Sequence, residues 1–557
     1  MAETSARRGA QILLEALESE GVEYIFGNPG TTELPLIDAL IDRNKIHYVW
    51  GLQEAAVVAM ADGYAQASGK PGFINLHTAG GLGHGMGNLL NARTSGTPLV
   101  VTAGQQDARH AISDPLLQGD LVAIASPIAK WALEMTTPEQ IPTLIRRAFQ
   151  DCRDTPPGPV FLSLPMNVME ALSDVEIPPV SRVDRRPVAS ALPDLADELA
   201  GYAPGRILIV AGDEISTNDA YREVVELAEI LAAPVYGSSW PAHIPYPTAH
   251  YLWRGNLPTK ATEIAAIASN FDCVFAMGGK SFITVLYTDA SALPAGCELY
   301  QLSVDGRDLG RTYPTRLSVV GDIQYSLREL NRLLLARLAG REAEFDAARA
   351  AARRADADRR ESLLAQAAAY EGRPRIHPLV AARELALGIG SATPIVDEAL
   401  ATATHLRKFL NNEGTRQYSF LRGGALGWGM PAAIGFSLGI GRRPVVSLAG
   451  DGAAMYTPQS LWTAVNEKLP VTFVIINNRE YNILKNFMRS QSHYTSARTG
   501  RFIAMDMNDP PIDFGALAAS MGVPAQRITD AAQIRPRVAE AIASGVPNLI
   551  EIVVEVE

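Results

Sequence analysis

Short apolar runs that stop at glycine or proline, each followed by a helical run, recur from one end of this 557-residue chain to the other. A helical segment at 9–20 leads into Tyr24-Ile25-Phe26 and then a turn at Gly27-Asn28-Pro29-Gly30. A helical run at 53–68, a strand at 72–76, a helix through 86–92 and a strand at 98–102 follow. Strands alternating with helices predict parallel sheets covered on both faces, that is, doubly wound α/β domains. A chain of this length needs about two to four of them. With 47% hydrophobic residues it can bury that many cores.

Three α/β units are expected. The first covers residues 1–182 and gives way near 183–190 to a basic, proline-containing linker. The second covers 191–337, with strands at 206–210, 234–236, 273–277 and 298–302. Residues 338–372 are rich in Ala, Arg, Asp and Glu without a sustained apolar face, which reads as a solvated helical connector. The third unit covers 373–557.

The first and third units also resemble each other. Ala59-Met60-Ala61-Asp62-Gly63-Tyr64 runs through Gly69-Lys70-Pro71 into a strand and a glycine pair. Pro431-Ala432-Ala433-Ile434-Gly435-Phe436 runs through Gly441-Arg442-Arg443-Pro444 into a strand and Gly450-Asp451-Gly452. Each then has a helix and an apolar strand that begins at a proline, Pro98 or Pro470. Two units of one design suggest a duplication, with a bipartite ligand held between the sheets.

The charge balance excludes some classes of function. Forty-nine basic residues against 60 acidic ones leave a net charge of -11, which argues against a general nucleic-acid or membrane surface. No stretch has the apolar length of a membrane span, and the N-terminal residues do not read as a secretory signal. Cys152, Cys273 and Cys297 are widely spaced and read as buried thiols, so a cytoplasmic location is expected.

The sharpest pattern lies at 448–484. A strand opens into Gly450-Asp451-Gly452, a helix is expected at 458–467, and the strand 471–476 ends in Asn477-Asn478. Strand ends of a parallel sheet emerge on one edge, where ligands bind. Glycine lets backbone approach a phosphate, and free helix N–H groups favour its charge. Asp451 and Asn478 then offer hard oxygens to one point, with a backbone carbonyl near Glu480, as Mg²⁺ shared with a diphosphate requires. Either glycine-rich turn alone reads as a tight turn; the two with their intervening helix and strand read as a site.

From Gly450-Asp451-Gly452 to Asn478 the chain resembles the thiamine diphosphate signature. Further matches are Phe26-Gly27-Asn28-Pro29-Gly30, Leu52-Gln53-Glu54-Ala55, 61–67, Phe73-Ile74-Asn75-Leu76-His77 and Thr102-Ala103-Gly104-Gln105-Gln106. Together they resemble the benzoylformate decarboxylase branch of the thiamine diphosphate-dependent 2-oxoacid decarboxylases. That resemblance implies a pyrimidine-binding domain, a central domain and a diphosphate-binding domain, in that order. It also implies Glu54 as the carboxylate that activates the cofactor's pyrimidine ring. Gly424 offers a carbonyl to the pyrimidine amino group, and Leu426 wedges the cofactor rings into their bent form. Gly450, Gly452 and Tyr481 belong to the cofactor site, and Asp451, Asn478 and Glu480 to the metal site. His77, at a strand end, handles substrate carboxylate and protons, and Thr31 stands where the branch has a serine. Leu116, Leu117, Leu484 and Phe487 match the substrate pocket, although their apolar character also suits ordinary core.

Several positions depart from the branch. Its second histidine falls at Val285, its hydroxyl residues near the cofactor fall at Leu400 and Ala401, and Arg422 replaces a small neutral residue near the pocket. His84 and His110 have no counterpart. The reading is a decarboxylase of an aromatic or bulky 2-oxoacid, with carboligation, lyase or acetolactate-synthase-like chemistry as the alternative. A non-catalytic binding module is disfavoured because Glu54, Asp451 and Asn478 persist. The resemblance implies a homodimer at minimum, commonly a homotetramer, and a small 2-oxoacid or aldehyde as substrate.

Overall fold

The computed structural model describes residues 6–414 and 416–556. Three six-stranded sheets, parallel throughout, succeed one another along the chain. The first contains β1 (Tyr24–Gly27), β2 (His47–Trp50), β3 (Gly72–His77), β4 (Leu99–Gln105), β5 (Ala132–Glu134) and β6 (Val160–Pro165). The central sheet contains β7 (Ile207–Ala211), β8 (Val235–Gly237), β9 (Trp253–Asn256), β10 (Cys273–Met277), β11 (Glu298–Ser303) and β12 (Leu317–Val320). The third contains β13 (Ile395–Glu398), β14 (Tyr418–Phe420), β15 (Val445–Gly450), β16 (Val471–Asn477), β17 (Ala525–Ile528) and β18 (Asn548–Val553). The α/β class expected from the alternating pattern is the class observed.

Strand order separates the three sheets into two kinds. The first runs β2-β1-β3-β4-β6-β5 and the third β14-β13-β15-β16-β18-β17, the same order position for position. The central sheet runs β9-β8-β7-β10-β11-β12 instead. Shared order in the outer sheets supports the duplication read from their sequences. Strands β4 and β16 are buried along their whole length because helices cover both faces, which is why they read as unbroken apolar runs.

Helices α1 (Glu54–Ser68) and α2 (Thr78–Ser95) flank the first sheet, α3 (Glu342–Ala368) is the connector, and α4 (Gly429–Gly439) flanks the third. The matched segments of the two outer units are α1 and α4, and they cross each other. A Cβ on Gly63 would overlap the Ala432 carbonyl, and one on Gly435 the Met60 carbonyl. The backbones meet there without side chains between them. Asp62 adds a buried polar tie, accepting from Trp428 Nε1 at 2.8 Å.

Two helices differ from expectation. α2 begins directly after His77, eight residues before the expected start. Five glycines in its first ten residues hide it, since glycine is a poor helix former. Burial of Leu82, Leu89 and Ala92 outweighs that propensity. α3 is mostly exposed, as a connector should be, yet it is docked rather than free. Phe345, Ala348 and Ala352 pack on the central core, and buried Asp356 accepts from Arg359 and Arg360 at 2.6 Å. All three cysteines are free and buried. No helix among the described residues is long and apolar enough to cross a membrane.

Candidate active site

His77 is the last residue of β3 and the cap of α2, in register with Gly104 at the end of β4. Its Nδ1 lies 2.8 Å from Oε2 of Glu33 and 3.2 Å from the Thr32 hydroxyl. Glu33 closes the short turn Thr31–Glu33 and is buried. Its carboxylate also accepts from the N–H groups of Gly30 and Gly104, each at 3.0 Å, and from the Thr32 hydroxyl at 2.8 Å. This buried carboxylate raises the pKa of His77 above the ordinary histidine value, chiefly through the hydrogen bond. Gly30 is required by close approach, because any Cβ there would overlap the imidazole. Thr31 itself is exposed at the head of the turn. Thr32 and Glu33 were not singled out from sequence. The available signal was a glutamate three residues after a turn glycine, whose N–H it accepts.

Glu54 is the first residue of α1, behind the cap Gln53, and is 8% exposed. Its Oε1 lies 3.4 Å from Asn28 Nδ2, and its Oε2 lies 3.0 Å from Nδ1 of His84. His84, unassigned by sequence, therefore belongs to this cluster. His110 sits in an exposed turn.

Gly424 and Leu426 lie in a segment clamped on both sides. Asn91 of α2 accepts from Ala425 N–H at 3.0 Å and donates to its carbonyl at 2.8 Å. Buried Glu398, at the end of β13, accepts from the N–H groups of Gly427 and Gly429 at 2.6 and 2.7 Å. These are free amides at the start of α4, where negative charge is favoured. Burial nevertheless pushes the Glu398 carboxyl up to about 7. Between the clamps Leu426 stays half-buried; Gly424, just before the first of them, is exposed in the left-handed region. Asn88 Nδ2, donating to Ala55 O at 2.8 Å and reaching Gly427 O at 3.4 Å, joins this segment to the helix that carries Glu54.

Asp451 and Asn478 follow the ends of neighbouring strands, where Gly450 of β15 pairs with Ile476 of β16. Asp451 is buried; its oxygens accept from Gly452 N–H at 2.8 Å and Arg479 N–H at 2.6 Å. Burial pushes this carboxyl up to about 6. Asn478 Oδ1 accepts from Glu480 N–H at 3.0 Å. Residues 479–481 pair with 505–507 through Tyr481 N–H to Met505 O at 2.9 Å and Met507 N–H to Arg479 O at 2.8 Å. Alternation along that ladder turns the backbone of Glu480 to the other side, towards Asn478. The Tyr481 ring packs on Gly452. The Glu480 side chain pairs with Lys485, whose ammonium also lies 2.5 Å from Asp506. Among the described residues no group of three or more His, Cys, Asp and Glu is placed to hold a metal alone. The oxygens of Asp451 and Asn478 suit a cation that takes further ligands from a phosphate.

The apolar positions are not core. Leu116 is 84% exposed, Leu117 and Leu484 are exposed, and Phe487 is half-buried. Leu116 and Leu117 lie on the loop after β4, and Leu484 and Phe487 on the helix Asn482–Arg489. Val285 is 46% exposed in a loop of the central domain, where its N–H donates to Thr259 O. Leu400 and Ala401 open the helix Leu400–Phe409. Arg422 sits at the boundary with the central domain. Its guanidinium donates to Trp240 O and lies 3.2 Å from Asp213. Asp213 also accepts from Ala242 and His243 N–H, so this arginine joins the two domains.

Known proteins are similar to this chain along nearly its whole length. Residues 7–123 match the N-terminal TPP binding domain of thiamine pyrophosphate enzymes, 202–330 their central domain and 397–552 their C-terminal TPP binding domain. The chain is 32% identical over 547 residues to a benzoylformate decarboxylase of Pseudomonas aeruginosa, covering 97% of each protein. It is 27% identical to a probable acetolactate synthase large subunit of Methanocaldococcus jannaschii, covering 98% of this chain and 92% of that one. Among solved structures it is similar to the thiamine diphosphate-dependent 4-hydroxybenzoylformate decarboxylase of Rhodococcus jostii RHA1. There the TM-score is 0.85 at 28% identity, over 99% of this chain and 100% of that one. A benzoylformate decarboxylase from Polynucleobacter necessarius gives a TM-score of 0.86 at 26% identity, over 99% of both chains.

Proposed function

The chain belongs to the thiamine pyrophosphate enzymes, and from that premise we propose that it decarboxylates an aromatic or bulky 2-oxoacid to an aldehyde. Thiamine diphosphate, when bound, supplies a nucleophilic carbon for the keto group and a ring that accepts electrons as carbon dioxide leaves. In this reading Asp451, Asn478 and the Glu480 carbonyl hold Mg²⁺ against the diphosphate, beside Gly450, Gly452 and Tyr481. Glu54 serves the pyrimidine ring, Gly424 its amino group, and Leu426 supports the bent cofactor.

The observation that carries the decarboxylase reading is the pair His77 and Glu33. A buried carboxylate keeps more of this imidazole cationic near neutral pH, and a cation at a strand end suits the carboxylate of a 2-oxoacid. Thr31, exposed at the head of the turn that carries Glu33, offers a hydroxyl for the same substrate. Leu116, Leu117, Leu484 and Phe487 lie on two separate segments and reach solvent in a single chain. A pocket made from them suits a bulky side chain, with a second copy of the chain completing it, so a homodimer is the minimum. The test is the cofactor-loaded protein offered aromatic and branched 2-oxoacids, with carbon dioxide and aldehyde both measured. Release of neither from any of them would end this reading.

One observation favours a second outcome for the same site. In the reading that sets Val285 at the place of the branch's second histidine, the side chain has no proton to give, and a product still bound has more time to join an acceptor aldehyde. Carboligation on this scaffold is the alternative.

A further inference from the structure

Glu54 has one firm side-chain partner and one loose one. Oε2 meets His84 Nδ1 at 3.0 Å, whereas Oε1 meets Asn28 Nδ2 only at 3.4 Å, and Asn28 is itself engaged by Trp50 Nε1 at 3.3 Å. Gly81, one turn before His84 on α2, forms the floor of the carboxyl; a Cβ there would stand 3.1 Å from Cγ and Oε1. The carboxyl is therefore boxed on the α2 side and gripped at one oxygen.

His77 caps α2 in an extended conformation and His84 lies on its second turn. Each turns Nδ1 to a glutamate Oε2, at 2.8 and 3.0 Å, which leaves Nε2 on the far side of each ring. The His84 side chain is 63% exposed in the single chain. No core packing accounts for an imidazole there, and its one defined contact is Glu54.

The geometry points to His84 as a positioning residue for Glu54: it fixes Oε2 and so decides that Oε1 is the oxygen presented to the cofactor. This rests on the role proposed above for Glu54. A carboxyl that shares a proton with a ring nitrogen must serve both with and without its own proton. A lysine or arginine partner would hold it ionised, because a fixed opposite charge favours the charged form. A neutral imidazole with its proton on Nδ1 donates to Oε2 whether the carboxyl is ionised or carries its proton on Oε1, because in the acid Oε2 is still an accepting carbonyl oxygen. The hydrogen bond therefore survives both states of Glu54 without a change of partner.

The experiment compares parent, Glu54→Gln, His84→Leu, His84→Asn and His84→Lys proteins, each stripped and reloaded with thiamine diphosphate and Mg²⁺. Cofactor affinity is read by calorimetry, and hydrogen–deuterium exchange at the thiazolium C2 by quenched-flow NMR. His84→Leu is expected to exchange about tenfold or more slowly, the effect of one hydrogen bond to a charged group, with affinity within about threefold of the parent. His84→Asn, whose amide both donates and accepts, should recover most of the rate, and His84→Lys should bind cofactor yet stay slow. Exchange at the parental rate in His84→Leu overturns the inference. So does a fall in affinity as large as the fall in rate, which would mark a merely structural role. Parental exchange in Glu54→Gln instead overturns the reading of Glu54, whatever the His84 variants show.

Discussion

Nδ1 of His77 stands 2.8 Å from Oε2 of Glu33, a carboxylate whose side chain has no exposed surface. The pair gives the site a pH response with a definite sign. The folded-state pKa of His77 is raised, so the stabilising contact with the imidazolium is fully present below the ordinary histidine value. It is lost as pH rises through the raised one. Glu33→Gln should move the His77 titration, followed by its ring-proton NMR signals, to lower pH. The alkaline fall of kcat/KM should move with it. An unchanged midpoint would separate His77 from Glu33 as a functional unit.

Asp451 gives a test in which stability and binding part company. Its carboxyl is pushed up to about 6 by burial, so the folded apo-protein is favoured below the unfolded value, and that advantage is lost as pH rises through about 6. Asp451→Asn should raise the melting temperature of apo-protein at pH 8, by about 1–3 kcal/mol of stability, with the gain shrinking below pH 6. The same variant should lose thiamine diphosphate and Mg²⁺ on dialysis, because a neutral amide is a poorer ligand for a divalent cation facing a diphosphate. A variant that is destabilised at pH 8 and still retains cofactor contradicts both halves.

Asn91 holds Leu426 indirectly, through two hydrogen bonds to the backbone of Ala425. Asn91→Ala leaves that N–H and C=O without their side-chain partner, a cost of about 1–3 kcal/mol. Cofactor affinity should fall by about tenfold or more while the far-UV circular dichroism stays that of the parent. Parental affinity would show that the 423–427 segment keeps its shape without the clamp.

Val285→His restores a titratable group in the central-domain loop. Positioned acids typically contribute about 10²–10⁴-fold to proton transfer. The hydroxyketone-to-aldehyde ratio should therefore fall relative to the parent at equal substrate and acceptor concentrations. An equal or higher ratio, in a variant whose imidazole reaches the cofactor cleft, would remove Val285 from any account of product choice.

The strands were legible because both faces of each sheet are covered: runs such as β4 and β16 leave no polar alternation to misread. The pairing of Asp451 with Asn478 was legible for the same reason, since consecutive parallel strands end on one edge. The start of α2 was not, because its glycines suppress the helical signal that tertiary burial restores. His84 was lost with it: with α2 expected only from residue 86, residue 84 fell in a glycine-rich loop and not on the helix that sets it against Glu54. Glu33 lay in a turn just before a helix, where a carboxylate reads as a cap. The joining role of Arg422 was not legible because its partner Asp213 lies 209 residues earlier in the chain.

The crossing of α1 and α4 also limits how chains of this kind can be recombined. Gly63 meets Ala432 and Gly435 meets Met60 backbone to backbone, so a methyl group on one glycine cannot be absorbed by repacking a side chain opposite. A chimera drawing its first and last domains from different parents must inherit these two helices as a matched set. The central domain also meets the third backbone to backbone: Phe420 N–H donates to Ala242 O at 2.8 Å and Thr248 N–H to Asn412 O at 3.1 Å, and one apolar core runs through both domains. Neither joint can be exchanged by editing a few exposed side chains; each must be inherited with the backbone on both of its sides.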